Sequence, residues 1–215
     1  MISTQQTEQY RQILQGSFDT LIQKIGGIQI GTPVQFPFGW RKAAKGRTVW
    51  RIIEEVISQN LEKYYEDLGF SNMNPSESEV SVYDAEIWLP SDRKPIYVNF
   101  KSAVADGRIN KDDISKAEGL HQFFEEDVDK QLFIATFIIQ FSKDMKIHFQ
   151  RCIVMPIAWL PDIYVNPSNN GNLQSSKYKS LKTAVKRTSG EFVAELAKAM
   201  RVARGKRQSK VARTR

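Results

Sequence analysis

The sequence has few of the residues on which much enzyme chemistry is built. Its single cysteine, Cys152, cannot close an internal disulfide or build a cysteine metal cluster. It lies in an apolar run and reads as a small core side chain. Two histidines, His121 and His148, leave zinc without a ligand set. One falls on the inner face of a predicted helix and the other in a predicted strand, so both read as packed side chains. No P-loop or dinucleotide glycine pattern occurs, so no nucleotide cofactor is expected, and no nucleophile elbow supports a Ser/His/Asp hydrolase. The longest largely apolar run, Leu132–Ile139, falls far short of the roughly 20 residues a membrane helix needs. The opening MISTQQTEQYRQIL lacks the apolar segment of a signal peptide. The expectation is a soluble, cytoplasmic protein without a membrane partner.

Acid is missing from one end. The last fifteen residues, RVARGKRQSKVARTR, hold seven of the 31 Lys and Arg and no Asp or Glu. The remaining 24 basic residues balance 24 acids, so the net charge of +7 belongs to this segment. Two further basic groups stand out: Arg41, Lys42, Lys45, Arg47 and Arg51, and then Lys177, Lys179, Lys182, Lys186 and Arg187. Any one cluster is what a solvated surface looks like. Three of them, set among Asn, Ser and aromatic residues, favour phosphate contact and a nucleic-acid partner.

A length of 215 residues with 41% hydrophobic content allows one sizeable core. The chain is organised around 80–103, where two β-like runs, Val80–Leu89 and Pro95–Ser102, flank the polar turn Pro90–Lys94 and predict a hairpin. Side chains alternate faces along a strand. Tyr97, Asn99 and Lys101 therefore oppose Ile96, Val98 and Phe100, and Val82, Asp84 and Glu86 oppose Tyr83, Ala85 and Ile87. An acid on one strand and Asn-x-Lys on its neighbour can converge, which makes this a candidate site.

Around the hairpin, periodicity predicts a helix over Thr4–Ile25 stopped by Gly26-Gly27, and a second from Thr48 to Tyr65. On the second, Glu54 flanks the apolar stripe of Val49, Ile53, Val56 and Ile57, while Glu55 lies nearly opposite. Downstream the expectations are a loop over 104–111, a helix over Asp112–Glu126 and strands over Gln131–Phe141 and Met145–Met155. An irregular Asn-rich stretch over Leu160–Tyr178 and a helix over Phe192–Val202, capped by Ser189, follow. The fold class is α/β (α+β): a small mixed sheet flanked by helices in a single domain over 1–200. That domain divides into a helical part (1–70), the hairpin and sheet (79–155) and the loop with the last helix (156–200), followed by a basic tail over 201–215.

Asp84 followed fifteen residues later by Asn99-Phe100-Lys101 resembles the active-site motif of the PD-(D/E)xK nucleases, particularly type II restriction endonucleases. The resemblance is strongest over 79–141 and extends upstream to the helix bearing Glu54. The Asn-rich loop and the Arg-Thr-Ser-Gly-Glu-Phe segment are similar to rare-cutting enzymes of the SwaI type. Two positions depart from the pattern: Tyr83 stands where a proline usually precedes the first Asp, and neutral Asn99 fills the acidic slot. An amide oxygen offers Mg²⁺ a dipole in place of a charge, so a second acid, Glu54 or Glu86, is expected.

The resemblance implies a restriction-endonuclease-like core and Mg²⁺-dependent hydrolysis of phosphodiester bonds in double-stranded DNA. Asp84, the Asn99 side-chain oxygen, the Phe100 carbonyl and Glu54 or Glu86 would hold the metal. Lys101 would hold or deprotonate water and stabilise the transition state. Asn and Gln suit adenine and Arg and Lys suit guanine. Asn166, Asn169, Asn170, Asn172, Gln174, Lys177, Lys179, Lys182, Lys186 and Arg187 are therefore first candidates for DNA contact. Arg41, Lys42, Lys45 and Arg47 come second. Asn169-Asn170-Gly171 reads equally as turn chemistry. Cutting both strands of a symmetric site calls for a homodimer. The alternative is a non-catalytic nucleic-acid-binding protein whose nuclease fold has decayed at Asn99. The basic tail also fits a structural RNA-associated protein.

Overall fold

The structure, a computed structural model, describes residues 2–40, 45–78, 80–105, 107, 111–168 and 171–213, and for 45, 47 and 210–213 the backbone alone. Helix α1 spans Thr4–Ile25, as its periodicity predicts. The Ser3 hydroxyl caps it by accepting from the Gln6 N–H, and Gly26 ends it at φ +67°, a left-handed conformation that glycine adopts without strain. There follow β1 (Gly27–Gln29), α2 (Lys45–Tyr64), β2 (Asn72–Pro75), β3 (Ala85–Trp88), β4 (Ile96–Val104), β5 (Asp112–Lys116) and α3 (Ala117–Glu126). The chain continues through β6 (Gln131–Phe141), β7 (Lys146–Pro156), β8 (Tyr164–Val165), β9 (Asn172–Ser175) and α4 (Ser189–Arg213).

Six strands form one mixed sheet in the order β1-β7-β6-β4-β3-β2. Only β4 and β6 pair in parallel, their crossover being β5 and α3. One face packs against α1 and α2, with Leu14, Phe18, Ile53 and Ile57 meeting Val98, Phe100, Ala135 and Phe137. The other packs against α3 and α4, with Leu120, Phe124, Phe192 and Leu196 meeting Ile134 and Met155. Both faces of β6 are thus covered. That is why its run from Gln131 to Ile139 is buried throughout and reads as continuous apolar sequence. Strands β5, β9 and β8 form a separate three-stranded antiparallel sheet. The architecture is a mixed sheet flanked by helices, of the α+β class. No helix among the described residues is long and apolar enough to cross a membrane.

Several predicted boundaries are corrected. The helix expected over Asp112–Glu126 begins only at Ala117. Residues 112–116 pair with β9, and Asp112 accepts from Tyr178 Oη and Lys179 Nζ, each at 2.8 Å. Tertiary pairing here overrides acids that suit a helix start. Part of the irregular Leu160–Tyr178 stretch is β8 and β9. The first hairpin strand starts at Ala85, not Val80. Its predicted beginning is a turn, in which the Ser81 N–H reaches the Ser78 carbonyl and the Ser81 hydroxyl accepts from the Tyr83 N–H. Alternation fails there, since Val82 and Tyr83 both pack toward α3. The last helix runs on through the basic tail to Arg213. Its cap is not Ser189. The Thr188 hydroxyl accepts from the Glu191 N–H, and the Glu191 carboxylate accepts from the Thr188 N–H at 2.7 Å, a reciprocal capping box.

Candidate active site

The site lies where the β3–β4 pairing stops. Ala85 opposite Val98 is the last paired position, yet β4 continues to Val104. At the end of the pairing the Asp84 N–H donates to the Val98 carbonyl at 2.8 Å. The Asp84 carboxylate then takes the next donor on that edge, the Phe100 N–H, at 2.6 Å. A strand residue sends its N–H and C=O to the same side, so the Phe100 carbonyl points to this edge as well. The Phe100 ring goes the other way, into the core beneath α1.

Asn99 is buried at 7% exposure. Its amide nitrogen donates to the Val82 carbonyl at 3.2 Å, while its oxygen has no hydrogen-bond partner among the described residues. In strand register Lys101 lies two residues on, beside Thr136 of β6, whose buried hydroxyl is likewise unpartnered. Glu54 arrives from α2, which packs on β4 through Val49, Ile53 and Ile57 and so carries its flank to this edge.

Electrostatics tie these groups together. Burial, and after it the negative charge of Asp84, pushes the Glu54 carboxyl up to about 7, against the opposing pull of Lys101 and Arg51. Burial also raises Asp84 above its ordinary value, opposed by the Phe100 N–H and by the same two cations. Two carboxylates and two cations thus act on one another across α2, the β3 entry and β4. Half-buried acids displaced upward beside a specific charge partner are a mark of functional sites.

The donor set is oxygen only: two carboxylates, an unpartnered amide oxygen and a carbonyl on the same edge. That suits a hard cation such as Mg²⁺ and not zinc. Among the described residues no group of three or more His, Cys, Asp or Glu could hold a metal ion, so any such site depends on the amide and carbonyl oxygens. Of the acids weighed from sequence, Glu54 is the one coupled to Asp84. Glu86 accepts from the Tyr83 hydroxyl at 2.8 Å and sits opposite Tyr97. Glu55 is exposed and accepts from Gln59.

The residues expected to touch DNA divide into groups. Arg41, Lys42, Asn169 and Asn170 lie outside the described residues, and Lys45 and Arg47 are described only as backbone in the first turns of α2. Lys177 and Lys182 are exposed, and Asn172 pairs with Lys116 in the small sheet. Lys186 lies 3.9 Å from Glu8 and over the Trp159 ring. Four other side chains are engaged with groups of the protein itself. Asn166 donates to Gln174, which donates to Asp113 at 2.6 Å, a ladder across the small sheet. Lys179 pairs with Asp112. The Arg187 guanidinium donates to the Ala158 and Leu160 carbonyls at 3.1 and 2.8 Å.

One residue missing from the predicted set is Arg51, which sequence reading placed in a general basic cluster. It precedes Glu54 by three residues, a spacing that shares a helix flank and could have drawn attention to it. No protein-family model matches the chain, and no curated protein matches it.

Proposed function

We propose that this protein is a Mg²⁺-dependent endonuclease of the PD-(D/E)xK kind with a restriction-endonuclease-like core, cutting double-stranded DNA at specific sites as a homodimer in the manner of type II restriction enzymes. One observation carries the reading. The Asp84 carboxylate sits on the Phe100 N–H of β4, between buried Asn99, whose oxygen has no partner among the described residues, and Lys101, and α2 packs Glu54's flank against the same strand. Asp84, Glu54, Asn99 Oδ1 and the Phe100 carbonyl would hold the Mg²⁺ ion, which when bound polarises a phosphate and acidifies a water.

The chain's own groups have distinct tasks. Asp84 is anchored by the Phe100 N–H, so its carboxylate is set before substrate arrives. Glu54, which burial and the charge of Asp84 keep partly protonated near neutral pH while the site is empty, brings the second carboxylate that neutral Asn99 does not supply. Lys101 offsets the charge that builds on the phosphate. The water oxygen forms the new bond to phosphorus as the bond to the 3′ oxygen breaks. The proton the water gives up is balanced by one taken up at the leaving oxygen, and the products are a 5′-phosphate and a 3′-hydroxyl.

The test is incubation of plasmid and phage DNA with the protein in Mg²⁺ or in EDTA, beside Lys101→Ala. Discrete Mg²⁺-dependent fragments are expected, with the variant slower by about 100-fold or more. An uncut substrate that is nonetheless retained in a salt-sensitive manner transfers the assignment to the non-catalytic DNA-binding protein and makes Asn99 the mark of a lost activity.

A further inference from the structure

Arg51 stands apart from the other cations near the site. Lys101 rises from the sheet itself, whereas Arg51 comes from α2, one helical turn before Glu54 and on the same flank. Its guanidinium lies 4.0 Å from the centroid of the Trp50 ring, within cation–π range. It is exposed, and among the described residues it makes no hydrogen bond or ion pair, although both carboxylates of the site feel its charge. Here the Trp50 ring packs against an exposed guanidinium, whose planar fork of N–H donors is available to a ligand.

That fork matches two oxygens of a phosphodiester better than a lysine's point charge does. The helix bearing it is anchored close by. Gly46, in the first turn of α2, lies near Val104 at the end of β4, where an added Cβ would make an ordinary van der Waals contact with its side chain at 3.6 Å.

We propose that Arg51 binds the non-bridging oxygens of the phosphate being cut, and that Trp50 is a positioning residue that holds its guanidinium open for that contact. The inference rests on the nuclease reading and adds to it the group that recognises the reacting phosphate. Asp84 and Glu54 bring negative charge to a site that must accept an anion. Lys101 answers that charge from the sheet side and Arg51 from the helix side.

The experiment measures single-turnover cleavage of plasmid DNA in Mg²⁺ with enzyme in excess, and DNA affinity separately in Ca²⁺, for wild type, Lys101→Ala, Arg51→Ala, Arg51→Lys and Trp50→Leu. Melting temperatures are recorded alongside. Arg51 is exposed, so unchanged melting is expected. The expected result is a loss of about 100-fold or more in the cleavage rate constant for Arg51→Ala, with DNA affinity within about threefold. Arg51→Lys recovers part of the rate, and Trp50→Leu shows a smaller loss in rate without a loss in affinity. An Arg51→Ala enzyme that cuts at the wild-type rate while Lys101→Ala is inactive overturns this inference and leaves the nuclease reading standing. A rate loss fully explained by weaker DNA binding also overturns it, making Arg51 an ordinary backbone contact. Absence of cleavage by the wild type overturns both.

Discussion

At the scale of single residues, the site is governed by how much charge a half-buried edge will accept. Glu54 shows this most directly. Below its ordinary value of 4.5 it is protonated whether the chain is folded or not. Between there and about 7 the folded protein holds a proton that the unfolded chain has released, so stability falls as pH rises through this window and stays lower above it. In EDTA, wild type should therefore lose more melting temperature between about pH 5 and about pH 8 than Glu54→Gln does. Mg²⁺ added at the upper pH should raise wild type and have less effect on the variant. Thermal melts of the two proteins in the three buffers decide the matter. Equal pH slopes would mean that Glu54 is solvated like an ordinary surface acid.

At the scale of elements, the basic segment around α4 divides into residues that hold the fold and residues free to meet a partner. Arg187 belongs to the first kind. Its guanidinium takes the Ala158 and Leu160 carbonyls, and its own carbonyl accepts from the Trp159 indole at 3.1 Å, so it straps the chain entering α4 to the turn after β7. Arg187→Ala should cost about 2 kcal/mol of stability, the range for a lost hydrogen bond to a charged group, measured by urea unfolding. It should leave the salt dependence of DNA binding unchanged. A local sequence of lysines and arginines could not reveal this division, because composition does not say which cation finds a carbonyl in the fold. The capping box of Thr188 and Glu191, by contrast, is visible as Thr-Ser-Gly-Glu once the helix start is placed one residue earlier.

For the whole molecule, the charge distribution is lopsided. Twenty-four basic residues balance 24 acids up to residue 200, and the excess lies in residues 201–215, of which 201–213 are the far end of α4. The last buried apolar residue of that helix is Ala203, and beyond it the described side chains are exposed. Arg204 reaches Glu118 and Arg207 reaches the Pro167 carbonyl, surface contacts that carry little stability. Truncation after Ala203 should therefore leave the urea midpoint nearly unchanged. It should also reduce the slope of log affinity against log salt by about 0.9 for each phosphate contact removed, measured by gel retention across a salt series. An unaltered slope would make this helix end a solubilising feature only.

What the sequence determined by itself was everything that depends on local pattern. The periods of α1 and α2, the continuous apolar run of β6, the inert burial of Cys152 and the Asn99/Lys101 alternation on β4 all follow from neighbours a few residues apart. It also singled out Glu54, because a helical wheel places that side chain beside the apolar stripe. Only the tertiary structure decided the rest. Asp112–Lys116 became a strand because β9 lay beside it, and Val80–Tyr83 left the ladder because serines offered its backbone nearer partners. That a tyrosine hydroxyl claims Glu86 was likewise beyond the linear pattern. The place of Arg51 turned on which strand α2 crosses. These outcomes depend on groups far apart in the chain competing for the same space and the same hydrogen bonds, and a linear pattern carries no record of that competition.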